Sequence, residues 1–229
     1  MNELGRKGVL GFDYASKREH ALSCKYRLLR RTSEVLSSIK EFAQFPFENI
    51  LDLGTADGRM LDAIYRKYPD AICVGVEYSK ELVSIAKAQY PHLRIARADI
   101  QSLNFKDNSF DIIIAAAVFE HIPNPNHALK EVKRLLRSNG IFILTTPDPF
   151  WERIAVLIGH LAKDQHENVM SIDELSSMTK NSGLTVLQKR KFMISPIGLP
   201  FEIEFEKILN RLHLGLLMVN QLIIAQSKK

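Results

Sequence analysis

The chain has 229 residues, a net charge of +5, 46% hydrophobic and 25% charged side chains, and two cysteines. These values fit one globular domain with additions, and the small positive excess permits an anionic partner without requiring one. Cys24 and Cys73 fit no metal or disulfide spacing and read as reduced thiols, no apolar signal core opens the chain, and the longest apolar stretch, Leu214 to Ala225, is broken by Asn220 and Gln221, short of the ~20 residues that span a membrane, so a cytoplasmic location is expected.

Residues 13–44 repeat apolar side chains at Leu22, Tyr26, Leu29, Leu36, Ile39 and Ala43, which predicts a long amphipathic helix stopped by Pro46. Lys17, Arg18, Lys25, Arg27, Arg30 and Arg31 crowd its first half and read as a solvated face. Residues 47–53 predict a strand, 58–68 a helix through Leu61, Ile64, Tyr65 and Tyr68, and 71–77 a second strand. Ser79 caps the next helix, which Pro91 ends. Residues 93–98 form a third strand ending at Asp99, and 110–117 a buried fourth. Residues 126–137 predict a helix with Leu129, Val132 and Leu136 inward and Asn139-Gly140 as its C-terminal cap; 141–146 are strand five. A helix over 150–162 uses Trp151, Ile154, Ala155, Ile158 and Ala162, and another opens at a Ser171–Glu174 capping box and stops at Gly183. Strand six covers 184–192, a helix over 201–213 repeats Phe201, Phe205, Ile208, Leu209 and Leu212, and a strand near 218–226 closes the chain.

Continuous apolar strands alternating with amphipathic helices imply an α/β, doubly wound, Rossmann-like sheet covered on both faces. The domain divides into a helical cap over 1–46, a cofactor-binding core over 47–146 and substrate-side helices and closing strands over 147–229.

The strand Ile50-Leu-Asp52-Leu ends in Gly54-Thr55-Ala56-Asp57-Gly58, and the following helix leads to Val74-Gly75-Val76-Glu77. Strand, tight turn, helix, strand and terminal acid make one mononucleotide-binding unit. Glu77 lies 23 residues after Gly54, near the ~20 of a carboxylate that grips a ribose. The G-x-A-x-G spacing is not that of the dinucleotide fingerprint. Asp57 would repel a pyrophosphate yet accept bonds from an amino group, so the ligand implied is adenosine joined to an ammonium, as in S-adenosylmethionine.

Here the sequence resembles the class I methyltransferases, the broad small-molecule group related to the ubiquinone-biosynthesis enzymes, over about residues 47–190. The family's D-x-G-x-G-x-G motif matches Asp52, Gly54 and Gly58 and departs at Ala56, where alanine calls for a negative φ or a tolerant geometry. The resemblance implies that Glu77 bonds the ribose hydroxyls and that Tyr78 lies against the adenine. Asp99 would accept from the adenine amino group, Ile100 offer its amide and an apolar wall, and Ala115 and Ala116 leave room for the methionine part. Arg134 to Gly140 resembles the family's entry into strand five. The family also implies seven strands with the last antiparallel.

The chemistry implied is in-line displacement on a sulfonium methyl, with the protein aligning the acceptor and excluding water. His121, just after strand four, is either a base or a loop-capping histidine. His166 is a base, an acceptor-binding residue or a surface histidine. Asp148 either faces the acceptor or serves the turn between Pro147 and Pro149. Trp151, Ile154, Leu157, Ile158, Met193, Ile194 and Ile197 either line an apolar acceptor pocket or pack the added helices. Tyr14, Tyr26 and Arg30 are options for the cofactor carboxylate. No metal site is expected. A nucleic-acid substrate fits poorly, because Ala-Ala-Ala-Val-Phe-Glu-His stands where base-modifying members carry a proline-rich motif. A peripheral membrane enzyme with a lipid-like acceptor and a non-catalytic binding protein are the other readings; the polar face of the 201–213 helix, with Glu202, Glu206 and Lys207, is poorer in Lys and Arg than an interfacial helix should be, which weighs against the former.

Overall fold

A computed structural model describes residues 11, 20–157, 168–212 and 214–228. Its centre is a seven-stranded sheet in the order β3-β2-β1-β4-β5-β7-β6. The strands are β1 (Asn49–Leu53), β2 (Ile72–Glu77), β3 (Arg94–Arg97), β4 (Phe110–Ala116), β5 (Leu136–Pro147), β6 (Thr185–Phe192) and β7 (Asn220–Gln226). β1 through β5 pair in parallel, and β7 lies antiparallel between β5 and β6. The seven strands and the antiparallel last strand agree with the sequence reading. The helices are α1 (Leu22–Phe42), α2 (Arg59–Lys67), α3 (Lys80–Gln89), α4 (Pro125–Leu135), α5 (Pro149–Leu157), α6 (Ile172–Asn181) and α7 (Glu202–Arg211).

Two apolar clusters form around the sheet. One gathers Leu51, Ile113, Phe119, Phe142 and Ile223 beneath α4 and α6, and the other gathers Ile50, Ile112, Ile143 and Ile224 with Val35, Ile39, Leu61 and Ile64 from α1 and α2. Neighbouring strand residues go to opposite clusters, so both faces of β1, β4 and β5 are covered, which explains their unbroken apolar runs. Local chemistry sets several ends as expected. The Ser79 hydroxyl accepts from the Leu82 N–H, and Ser171 and Glu174 complete a capping box.

Four expectations need correction. First, α4 stops at Leu135, and Asn139-Gly140 lies inside the 12-residue strand β5 rather than capping the helix. Strand pairing wins over the local signal: Leu136 pairs with Phe110, and the Asn139 N–H donates to the Ser227 carbonyl at 2.8 Å. Asn139 takes φ +62, and a Cβ on Gly140 would stand 3.0 Å from the Asp111 carbonyl oxygen, so this turn within the strand needs a glycine there.

Second, α1 does not bury all the residues its periodicity nominated. Leu22 and Leu29 are exposed, while Arg30, Glu34 and Ser38 are buried with Val35 and Ile39. The cation run is therefore not simply solvated. Third, α7 is turned the other way from expectation. Its buried residues are Glu202 and Glu206, and Phe201, Phe205, Ile208 and Leu212 face solvent. The reason is a network reaching from α1. The Tyr26 hydroxyl donates to Glu202, and Arg30 donates to both Glu206 oxygens at 2.8 and 2.9 Å and pairs with Glu34 at 3.2 Å. Glu202 also accepts from the Ile194, Ser195 and Leu199 N–H groups, and Glu206 from Met193. Buried carboxylates are held where cations and N–H groups pair them, and that requirement outweighs the apolar face. Tyr26 and Arg30 are thus engaged with α7. Fourth, on α5 Leu157 is exposed and Glu152 is buried; Ile197 is also exposed, whereas Met193 is fully buried. The predicted continuation through Ile158 and Ala162, and Tyr14, fall outside the described residues.

Candidate functional site

The sheet order places the switch point between β1 and β4: the chain runs outward from β1 to β2 and β3, then crosses back to β4. Ligands of open α/β sheets bind at the strand carboxyl ends beside such a point. Two loops meet there, the glycine turn after β1 and the segment after β4.

The glycine turn is built by left-handed backbone. Gly54, Ala56 and Gly58 have φ of +71, +52 and +81. The Gly54 and Thr55 N–H groups both donate to the Val76 carbonyl, at 2.8 and 3.0 Å, which ties the turn to β2. A Cβ at Gly54 would stand 2.5 Å from Val118 Cγ2, so only glycine lets the post-β4 loop close over the turn. Of the two alternatives for Ala56, a negative φ or a tolerant geometry, the turn takes the second: Ala56 adopts a positive φ, at a cost of ~1–2 kcal/mol for an L-residue. Its N–H donates to Glu77 Oε2 at 3.0 Å, and this bond helps hold the conformation.

The Glu77 carboxylate is therefore the clasp between turn and second strand. Its other oxygen accepts the Ser79 N–H at 2.9 Å. Tyr78 follows at the strand end, half-exposed, with the Arg97 guanidinium 5.9 Å from its ring centroid and Arg97 Nε donating to its carbonyl at 3.1 Å. Thr55 is buried beneath the turn: a Cβ on Gly75 would come within 2.8 Å of the Thr55 methyl group. Asp52 is buried within β1, paired in register with Gly75 and Ile114. Asp57 is buried too and pairs with Arg59 at 3.1 Å, so a cation of the chain itself already meets the acid that was expected to face a ligand amino group.

Asp99 follows β3. Its carboxylate accepts from the Gln101 N–H at 3.0 Å and the Gln101 side-chain amide at 3.2 Å. The Gln101 side-chain oxygen Oε1 accepts the Asn124 N–H at 3.1 Å, which joins the Asp99 loop to the loop before α4. Sequence reading missed Gln101; a glutamine two residues after the acid is the only local signal. Ile100 is buried in the apolar cluster under α4.

The post-β4 loop begins at Ala116, the last residue of β4, and continues through Ala117 at φ +55. His121 ends a 3-10 turn, Phe119–His121, half-buried, with its backbone N–H donating to the Val118 carbonyl at 3.0 Å. His166 lies outside the described residues. Asn168, two positions on, docks on this same turn: its N–H donates to the Glu120 carbonyl at 3.1 Å and its side chain to the Ile122 carbonyl. Asp148 is buried, pairs with Lys191 at 2.5 Å, and accepts the Phe150 N–H at 3.0 Å. Those bonds give it a structural duty at the β5 end. Beside it Phe150 and Trp151 meet edge to face at 5.6 Å.

The turn, the two strand-end acids and the post-β4 loop thus converge on one edge. A family model describing a methyltransferase domain matches residues 17–189. The chain belongs to that family. Among curated relatives, the malonyl-[acyl-carrier protein] O-methyltransferase of Halalkalibacterium halodurans is 25% identical over 134 residues, covering 55% of this chain and 49% of that protein. The ubiquinone biosynthesis O-methyltransferase of Coxiella burnetii is 25% identical over 178 residues, 72% of this chain and 75% of that one. The chain spans about half the length of the first of these methyltransferases. A solved SAM-dependent methyltransferase of Thermotoga maritima superposes with a TM-score of 0.69 at 18% identity, covering 95% of this chain and 96% of that one, which shows the shared methyltransferase fold.

Among the described residues no group of His, Cys, Asp and Glu is placed to hold a metal ion, and no helix is long and apolar enough to cross a membrane.

Proposed function

We propose that this chain binds S-adenosylmethionine and transfers its methyl group to a small-molecule acceptor, an oxygen of an apolar or aromatic compound. The observation that carries the reading is Glu77 at the end of β2, bonded to Ala56 of the glycine turn at 3.0 Å. The residues fit the cofactor on chemistry present in the chain. The left-handed turn at Gly54, Ala56 and Gly58 offers close backbone approach, and the strand-end carboxylates Glu77 and Asp99 are acceptors of the kind that ribose and adenine donors call for. Glu77 would hold the ribose hydroxyls, Tyr78 the adenine face, Asp99 the adenine amino group and Ala116 the passage of the methionine part. Thr55 and Gln101 position the turn and Asp99. Asp52 supports the turn from β1, Asp57 holds it from within through Arg59, and Ile100 forms part of the wall. When bound, the cofactor supplies a sulfonium methyl; the chain aligns the acceptor and keeps water out.

His121 is the base candidate this reading retains, because it sits on the post-β4 loop that closes over the turn. His166 remains a second candidate on its sequence position. Asp148 is the weakest, its carboxylate being committed to Lys191 and Phe150. Phe150 and Trp151 at the β5 end support an apolar or aromatic acceptor. A chain without disulfides among the described residues, and with no membrane-crossing helix there, fits work in the cytoplasm.

The test is calorimetric titration with S-adenosylhomocysteine, with NAD as control, followed by an acceptor screen. Micromolar binding of the first alone supports the reading, and binding of neither overturns it.

A further inference from the structure

Helix α7 presents its apolar side to solvent. Phe201, Phe205, Ile208 and Leu212 recur at i, i+4, i+7 and i+11 and form one ridge, each more than half exposed, Phe201 at 76%. The chain then folds back through the Leu214 N–H to the Leu209 carbonyl at 2.8 Å, and Leu216 and Leu217 of the following 3-10 turn extend the apolar surface at 57% and 44% exposure. Contiguous exposed apolar surface of this kind marks an interaction site. The acids that would oppose a negatively charged partner are withdrawn: Glu202 and Glu206 point inward onto Tyr26 and Arg30. What remains on the rim is mainly cationic. On α7 itself Lys207 and Arg211 are exposed and make no ion pair among the described residues, and the one exposed acid of that helix is Glu204; Asp173 is exposed nearby.

Beside Leu216 and Asn210 lies an open groove of about 500 Å³ lined by Asp173 and by Lys189, Arg190 and Lys191 of the edge strand β6, where Arg190 is engaged with Glu34 and Lys191 with Asp148, which leaves Lys189 as the cation open to exchange. Lys189 pairs there with Asp173, but that pair is solvent-exposed, 47% and 78%, and exposed pairs exchange partners at little cost. Cations next to an apolar ridge suit a surface that is apolar inside and anionic at its boundary.

We propose that this face docks on an anionic lipid bilayer, the α7 ridge and Leu216–Leu217 entering the acyl boundary while Lys207, Arg211 and Lys189 meet headgroup phosphates. A second copy of the chain fits less well, because a symmetric contact would set the same cations against each other in a protein already carrying +5. The inference concerns the surface alone and stands whether or not methyl transfer occurs.

The test uses the full chain with extruded vesicles of phosphatidylcholine, alone or mixed with an equal part of phosphatidylglycerol, read by co-sedimentation. The chain should pellet with the mixed vesicles, and less with phosphatidylcholine or at high salt. Phe205→Ser with Leu216→Ser should lower partitioning about tenfold or more. Lys207→Glu with Arg211→Glu should remove the preference for the anionic vesicles. Both pairs change exposed side chains, and unaltered melting and S-adenosylhomocysteine titration would separate a docking defect from a fold or cofactor defect. Absence of partitioning on both vesicles, or partitioning that neither pair alters, overturns the proposal. So does a dimer in sedimentation velocity that Phe205→Ser with Leu216→Ser dissociates while the parent chain ignores vesicles, which would make the face a contact between copies.

Discussion

Replacing Glu77 by alanine should separate the two jobs of that carboxylate. In the fold it accepts two backbone N–H groups, Ser79 at 2.9 Å and Ala56 at 3.0 Å. Hydrogen bonds to a charged acceptor are worth ~1.5–3 kcal/mol each when buried, but Glu77 is half-exposed and water refills part of the loss. About 1 kcal/mol each, ~2 kcal/mol in total, is the working figure, which for a chain of this size lowers Tm by about 4–8 °C. In the site the loss of a charge-assisted bond to the ribose should cost a further ~1–3 kcal/mol of affinity, about 5–150-fold in Kd. Glu77→Gln keeps one acceptor oxygen, so it should recover part of the melting loss and little of the affinity. Differential scanning fluorimetry gives the first quantity and calorimetric titration with S-adenosylhomocysteine the second. A folded Glu77→Ala protein with unchanged Kd refutes the assignment of Glu77 to the cofactor. An unchanged Tm refutes its role as the clasp on the glycine turn.

Three further outcomes follow from other parts of the molecule. Gly54→Ala combines a positive φ with a Cβ placed 2.5 Å from Val118 Cγ2 and should destabilise by about 2–4 kcal/mol, of which Val118→Ala recovers only part of the steric share in a double-mutant cycle, because its Cβ still stands 2.9 Å away. Burial and the bond to Glu202 push the Tyr26 phenol up to about 12. Below pH 10 both folded and unfolded chains keep that proton; between pH 10 and about 12 only the unfolded chain loses it, so stability falls as pH rises through that window, and Tyr26→Phe should flatten the fall in urea titrations. Burial likewise pushes the Cys73 thiol up to about 12 while Cys24 is half-exposed, so a thiol reagent at pH 8 should label Cys24 at once and Cys73 only on unfolding; prompt labelling of both contradicts the buried β2 environment.

The core of the fold was legible because its signals are local. Asp52, Gly54, Gly58, Glu77 and Asp99 mark strand ends by sequence spacing, and Ser79 and Ser171 cap helices with partners three residues away. The family resemblance supplied what spacing cannot, the identity of the ligand. The errors occurred where distant pairing decides. Asn139-Gly140 looks like a helix end until the partner at Ser227 is known. The orientation of α7 depends on Tyr26 and Arg30, each 176 residues from its glutamate, and helical periodicity alone nominates the wrong face. Gln101 escaped notice because its contact to Asn124 crosses between two loops.

The span of 176 residues between Arg30 and Glu206 also bears on the order of folding. Synthesis runs from the N-terminus, so α1 and the parallel βαβ units are available well before the α7 segment emerges. Closing so long a loop is entropically slow, yet the cationic side of the contact is already in place when the acids arrive. Until that moment nothing prevents Phe201, Phe205 and Ile208 from collapsing inward as their periodicity favours. The outward ridge therefore depends on closing the long loop between α1 and α7, a contact that no local signal in the α7 segment supplies.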